Sequence, residues 1–373
     1  METSYTWHSG ARCVDPRWPL TPTLLPDELL SSWLVRTALA HGCRPDTLTR
    51  VVWPGTRAWT CDLDRPHSWA DLAALARMAG LSVEMLLATT LWPIVLMLHP
   101  NAAIHNSSWW PWILPLGCRS RTRAGGLLCC PHCMAGPIPH YRQQYRLAWH
   151  TACPWHHVLL IDRCTSCYSA IQPGRLGVDG KLSECHHCGQ SLDRAPPVPV
   201  VDTALAFQNF VDARRQSTIF YGQVALSFSE WMCVTRVMVS YLETVARQPS
   251  AGSRLFCEKI GVDLAQLKSS SLGLPFEYAA PAERAGLLGQ AWVIMQAGPE
   301  RFVELATETK LPVTAFPLPV TGVPEILMQM VSVLSQHPPH KLARPVFGRT
   351  REPLEVWHMW HRLQRRTRRN GIS

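Results

Sequence analysis

No run of this chain is long and apolar enough to cross a bilayer. The longest, Leu91 to Leu98, contains Pro93 and falls far short of the roughly 20 residues a membrane helix needs. The first ten residues lack the apolar core of a secretory signal and include Glu2, so the expected setting is cytosolic and reducing, with no membrane partner. Charged residues are scarce at 17%, whereas hydrophobic residues make up 47% of the 373 positions. That balance excludes a disordered chain and supplies cores for two or three domains. Two catalytic signatures are also missing: there is neither an H-E-x-x-H helix nor a G-x-x-x-x-G-K-[ST] loop. No carboxylates stand at a spacing that suggests a two-metal nuclease. The chain is therefore expected not to be an enzyme.

What the sequence does contain is metal-ligand pairs. Four stand in order: Cys130-Pro131-His132-Cys133, Cys153-Pro154-Trp155-His156, Cys164-Thr165-Ser166-Cys167 and Cys185-His186-His187-Cys188. A C-x2-C or C-x2-H turn aims two ligands at one ion, and a second pair completes a tetrahedron around Zn2+. The gaps between paired turns are 19 and 17 residues, close to the spacing of paired zinc turns. Two structural zinc ions are expected. Neighbouring pairs give Cys130, Cys133, Cys153 and His156 for one and Cys164, Cys167, Cys185 and Cys188 for the other; an interleaved pairing of the same eight is the alternative. Disulfides are the competing reading, and Cys129 and His157 are alternative ligands beside the proposed ones. The remaining cysteines, Cys13, Cys43, Cys61, Cys118, Cys233 and Cys257, read as buried thiols.

Around these pairs the expected fold is mainly α, with irregular zinc-ribbon or zinc-finger modules and helix-turn-helix units flanking a two-zinc region. Residues 1–110 form a helical domain: Leu30, Trp33, Leu34, Thr37 and Ala38 keep helical spacing until Gly42. A second helix follows Ser68, which caps it with Asp71 three residues on; Gly80 ends it and Ser82 caps the next. That last helix offers Glu84 and Met85 and no base, so it reads as packed scaffold or protein-docking surface, not as a major-groove reader. Asp62 and Asp64 read as capping and turn residues. Residues 111–195 are the zinc region, where Tyr141 to Trp149 suits a short strand or turn-rich ribbon and Arg142 and Arg146 are assigned structural roles. The proline-rich stretch Ala195 to Pro199 reads as a stiff linker. Residues 196–340 form a second helical domain, with one helix ending near Gly298 and another restarting at Pro299. Residues 341–373 are a basic arm. From Lys341 to Arg369 there are nine Lys or Arg and two acidic residues, a surplus of seven in a chain of net charge +9. Arg362, Arg365, Arg366, Arg368 and Arg369 at its end are candidate nucleic-acid contacts, and a solvated tail is the alternative.

The order of these features resembles the TniQ/TnsD family. Leu25-Pro26-Asp27-Glu28-Leu29-Leu30-Ser31-Ser32-Trp33-Leu34 is similar to that family's opening P-G-E element, with Asp27 where glycine is usual. Asp71 to Ala76 with Gly80 and Leu86 is similar to its helix-turn-helix. Cys130 to Cys133, Tyr141 to Leu147, Cys153 to His156 and Cys164 to Cys167 carry the most specific likeness, with Tyr145 in place of a commoner tryptophan. Arg284 to Leu305 is more loosely similar to the family's C-terminal helical repeat. The resemblance implies an adaptor in DNA transposition that selects the target site. Such a protein binds target DNA directly or docks on a CRISPR effector complex with its guide RNA, and it recruits an AAA+ ATPase regulator; some members are homodimers. The alternative is a zinc-containing DNA-binding transcription regulator unrelated to transposition.

Overall fold

The computed structural model describes residues 17–65, 71–102, 110–116, 126–267, 275–319 and 322–334. The basic arm, with Arg362, Arg365, Arg366, Arg368 and Arg369, lies outside them, as do Ser68, Cys13 and Cys118.

The chain folds into a mainly helical structure in which an irregular region carries two small Cys/His clusters. In the first part, α1 (Leu30–Ala40), α2 (Pro45–Val52), α3 (Leu72–Ala79), α4 (Val83–Ala88) and α5 (Trp92–Leu98) follow one another. Leu30, Trp33, Leu34 and Ala38 of α1 share a small core with Leu48 and Val52 of α2, Leu75 of α3 and Leu86 of α4. Asp71 is itself the cap of α3, accepting from Ala73 N at 2.8 Å, so the cap falls three residues after the expected Ser68. Gly80 closes α3 at φ 68°, and Ser82 accepts from Met85 N at 3.1 Å to start α4. Met85 is half exposed and Glu84 is exposed, which leaves no basic reading face on α4.

The short α6 (Pro131–Met134) opens the metal-binding region, which otherwise has only one-turn 3-10 helices and isolated bridges. Then come α7 (Asp202–Ala213), a hairpin of β1 (Ile219–Tyr221) and β2 (Val224–Leu226), α8 (Phe228–Arg247), α9 (Ala251–Ile260), α10 (Pro281–Glu308) and α11 (Glu325–Ser332). Ser227 and Glu230 form a reciprocal capping box on α8. The expected break lies inside α10, where Gly298 takes φ 82°, ψ 167° and Pro299 resumes the helix. This extended positive-φ region is open essentially to glycine alone.

One hydrophobic core runs from α5 through the metal-binding region into α7–α11. Trp112 stands at its centre: its ring meets Trp149, Phe207 and Phe276 at 5.6–6.4 Å, and its Nε1 donates to Met232 O at 3.1 Å. The proline-rich stretch runs along the metal region, since Leu159 N donates to Val198 O at 2.9 Å. Among the described residues no helix is long and apolar enough to cross a membrane.

Candidate metal centres

Three of the four ligand turns are built alike. In each, the first ligand's N–H donates to the carbonyl five residues on, and the N–H four residues on donates back to the first ligand's carbonyl. Cys153 pairs this way with Val158 and His157 at 2.8 and 3.0 Å, Cys164 with Ser169 and Tyr168 at 2.9 Å each, and Cys185 with Gln190 and Gly189 at 2.9 Å each. The residue four on is left-handed every time: φ is 51° at His157, 57° at Tyr168 and 72° at Gly189. Antiparallel bridges between Ala152 and Leu159, Arg163 and Ala170, and Glu184 and Ser191 clasp each turn from outside. The first pair differs: Cys130 caps α6, and Met134 N donates to Cys130 O at 3.1 Å.

These turns gather the eight expected side chains into two groups by neighbouring pairs. Cys130, Cys133, Cys153 and His156 form one and Cys164, Cys167, Cys185 and Cys188 the other, with the ligand atoms of each group within 4.8 Å of one another. Sulfur–sulfur distances are 3.8 Å for Cys133–Cys153 and 3.7 Å for Cys164–Cys188 and Cys167–Cys185. His156 Nδ1 lies 3.4–3.5 Å from the three sulfurs of its group. A tetrahedron with metal–sulfur bonds of about 2.3 Å and metal–nitrogen bonds of about 2.0–2.1 Å has edges of roughly 3.8 and 3.5 Å. The donor sets therefore fit a tetrahedral ion. The same separations exceed the ~2.05 Å of a disulfide, and all the cysteines among the described residues are free. His157 closes its turn and Cys129 is buried with its backbone paired to Ile161, so neither joins a group.

The electrostatics also call for a cation. Hydrogen bonds with Cys130 and Cys133 pull the Cys153 thiol down, while bonds with Cys133 and Cys153 raise Cys130. A bound cation would let these crowded thiols ionise together. Tyr145, buried beside the group, donates from Oη to Cys153 Sγ at 3.3 Å. Such a donor orients a ligand and tempers its charge. Arg142 lies 4.5 Å over the ring of Trp155, between the two ligands of that turn.

The stretch Tyr141 to Leu147 joins the first centre to the helices before it. It forms a 3-10 turn, Gln144–Arg146, and so is turn-rich and not a strand. Tyr141 exchanges backbone contact with α1, accepting from Leu29 N at 3.0 Å and donating from its own N to Ser32 Oγ at 3.0 Å. Ser32 in turn donates to buried Glu28 at 2.9 Å. Gln143 N donates to Asp27 O at 2.8 Å, and Gln143 Nε2 to Thr90 O at 3.2 Å. Arg146 is fully buried between Asp62 and Asp64, with Nη1 3.1 and 3.0 Å from them. Asp64 also accepts from Ser31 N and Ser31 Oγ, each at 2.8 Å. It thereby caps α1, whose flanking Leu29 has no side chain for that task.

A second polar joint ties the region to α7. Asp212 accepts from Trp149 Nε1 and His150 Nε2, each at 3.0 Å, and pairs with Arg215. Burial alone would raise Asp212, but these partners hold it down at about 2.

The structure brings all eight expected ligands together. Of the thiols expected to be buried, Cys257 is, whereas Cys43, Cys61 and Cys233 are only partly buried, Cys43 packing at the edge of the first core. The Asp62–Arg146–Asp64 contact had no signal in spacing, because the partners are 84 and 82 residues apart, and Tyr145, eight residues from Cys153, follows no ligand spacing. The closing residue of each ligand turn was announced only by Gly189. No curated protein matches the chain. Its N-terminal region, residues 19–160, matches the TniQ family model, a match that takes in the first metal centre and stops before the second.

Proposed function

We infer that this chain is a TniQ-like adaptor in DNA transposition, holding two structural zinc ions. On this reading it selects the target site and links target DNA, or a CRISPR effector complex with guide RNA, to an AAA+ transposition regulator. The observation that carries the reading is the family match over residues 19–160, on residues that form structural joints here: Glu28, Ser32, Tyr141 and the ligands from Cys130 to His156. Zinc suits the donors, three thiolates with an imidazole and four thiolates. When bound, zinc supplies folding energy, and four protein ligands leave no open position for water or substrate. The chain itself then cleaves no DNA and hydrolyses no ATP, acting through its partners.

The test is purification of the tagged chain from cells that carry its neighbouring genes. An AAA+ ATPase, with target DNA or a guide-RNA complex, should co-purify, and deletion of the chain should abolish targeted insertion. Recovery of only promoter DNA and transcription machinery, with insertion unaffected, would replace this reading by that of a zinc-containing transcription regulator.

A further inference from the structure

Away from the metal centres, four arginines from three parts of the chain line one open groove of about 240 Å³. Arg44 and Arg50 come from α2 and its cap, Arg57 from the loop after it, and Arg175 from the loop between the two turns of the second metal centre. All four are exposed. A single carboxylate shares the groove: Asp46 lies 3.2 Å from Arg44 and 3.7 Å from Arg50. Arg57 and Arg175 have no carboxylate partner among the described residues. Four guanidinium groups against one acid leave a local surplus of about three positive charges.

The chemistry of the groove points to a polyphosphate and not to a small anion. Its threonines spend their hydroxyl protons on the backbone, Thr49 on Pro45 O at 3.1 Å and Thr60 on Arg57 O at 2.8 Å. Without neutral donors converging on one point, what remains is spread positive charge with little directional readout, the pattern of backbone contacts. The aromatic residue of the groove, Trp59, is held against the second metal region. A Cβ built on Gly174 would fall 2.1 Å from its ring, so one face is covered by backbone, which disfavours stacking on an unpaired base.

We propose that Arg44, Arg50, Arg57 and Arg175 form a site for the phosphate backbone of duplex DNA, straddling α2 and the second metal module and reading no sequence. The proposal draws on the adaptor reading only to name DNA as the polyanion. Full-length, zinc-loaded protein is titrated into a short random-sequence duplex, a single strand and an RNA hairpin, followed by fluorescence anisotropy over a range of salt. For Arg57→Gln/Arg175→Gln, duplex affinity should fall about tenfold near 100 mM salt and the salt slope should flatten by about 1.8. Arg44→Gln/Arg50→Gln should act in the same direction, whereas Arg57→Lys/Arg175→Lys should keep the slope. Wild-type affinity and slope in both glutamine pairs would overturn the site, as would tighter binding of the single strand or the hairpin that these pairs abolish. The two readings fail separately. Loss of the ATPase partner with intact dependence on these arginines sinks the adaptor alone; a co-purifying ATPase with unaltered duplex binding sinks the site alone.

Discussion

Asp27 occupies a backbone conformation that suits glycine, φ 60°, at the one position where the opening element departs from the family's P-G-E. Its carboxylate is mostly buried, one oxygen accepts weakly from Gln144 N at 3.3 Å, and the other, Oδ2, has no partner. Burial raises its pKa to about 6. For a carboxyl raised in the folded state, the protonated form is the favoured one. Its contribution is complete below about pH 4 and is lost as pH rises through 6. Asp27→Asn, which keeps the acceptor and tolerates positive φ, should therefore stabilise the protein at pH 8 by about 1–2 kcal/mol. The gain over wild type should shrink towards pH 5, as read by urea denaturation of both proteins across this range. Arg146 presents the opposite case. Burial pushes Asp64 up to about 6 despite Arg146 beside it, so removal of the guanidinium strips the fully buried Asp64 carboxylate of the cation 3.0 Å away. Arg146→Met should cost about 3–5 kcal/mol, and adding Asp62→Asn and Asp64→Asn should recover part of it; thermal melts of the single and triple variants decide this.

At the scale of elements, three of the four metal turns are small hairpins and the fourth is the cap of α6, and the two ligands of each are only as well placed as their ion. Cys133→Ala should reduce bound zinc from two ions per chain to one, and Cys167→Ala should do the same at the other centre, with protease sensitivity rising around the emptied module. Elemental analysis with limited proteolysis checks both; two ions retained in either variant would overturn the ligand assignment. The ligand pairs were readable because a C-x2-C turn fixes its geometry within a few residues, and the break at Gly298-Pro299 because glycine admits a positive φ that other residues avoid while proline fixes its own φ. Helix α1 was readable from its 3.6-residue spacing. The hairpin of β1 and β2 was not, since strands of three residues leave too little alternation. Nor was α2, an eight-residue helix that gives only Leu48 and Val52 to the core as apolar periodic positions. The cap of α1 was hidden for another reason: Asp64 acts across 33 residues, and no local pattern announces a cap supplied from so far away.

On the scale of the whole molecule, the metal region and the later helices share one hydrophobic core, and a few long-range polar contacts fix how they join. Arg284 of α10 is fully buried and donates to Ala148 O, Asp212 of α7 holds Trp149 and His150, and Glu277 accepts from Trp112 N at 3.0 Å. Each of these couples a helical segment to the metal region, Arg284 and Glu277 through its backbone and Asp212 through the side chains of Trp149 and His150, so loosening a bound ion should be felt far from it. Chelation should lower the melting temperature of the whole described fold in one transition and not release a single module, a result that differential scanning calorimetry with and without chelator would show. The same connectivity bears on how the chain is made. The first helix has no cap until Asp64 has been synthesised, and Asp64 does not meet its arginine partner until Arg146 leaves the ribosome. The N-terminal helices are thus completed only by residues of the metal-binding region, and on the two-zinc reading proposed above ion capture becomes the event that sets the start of the chain in place.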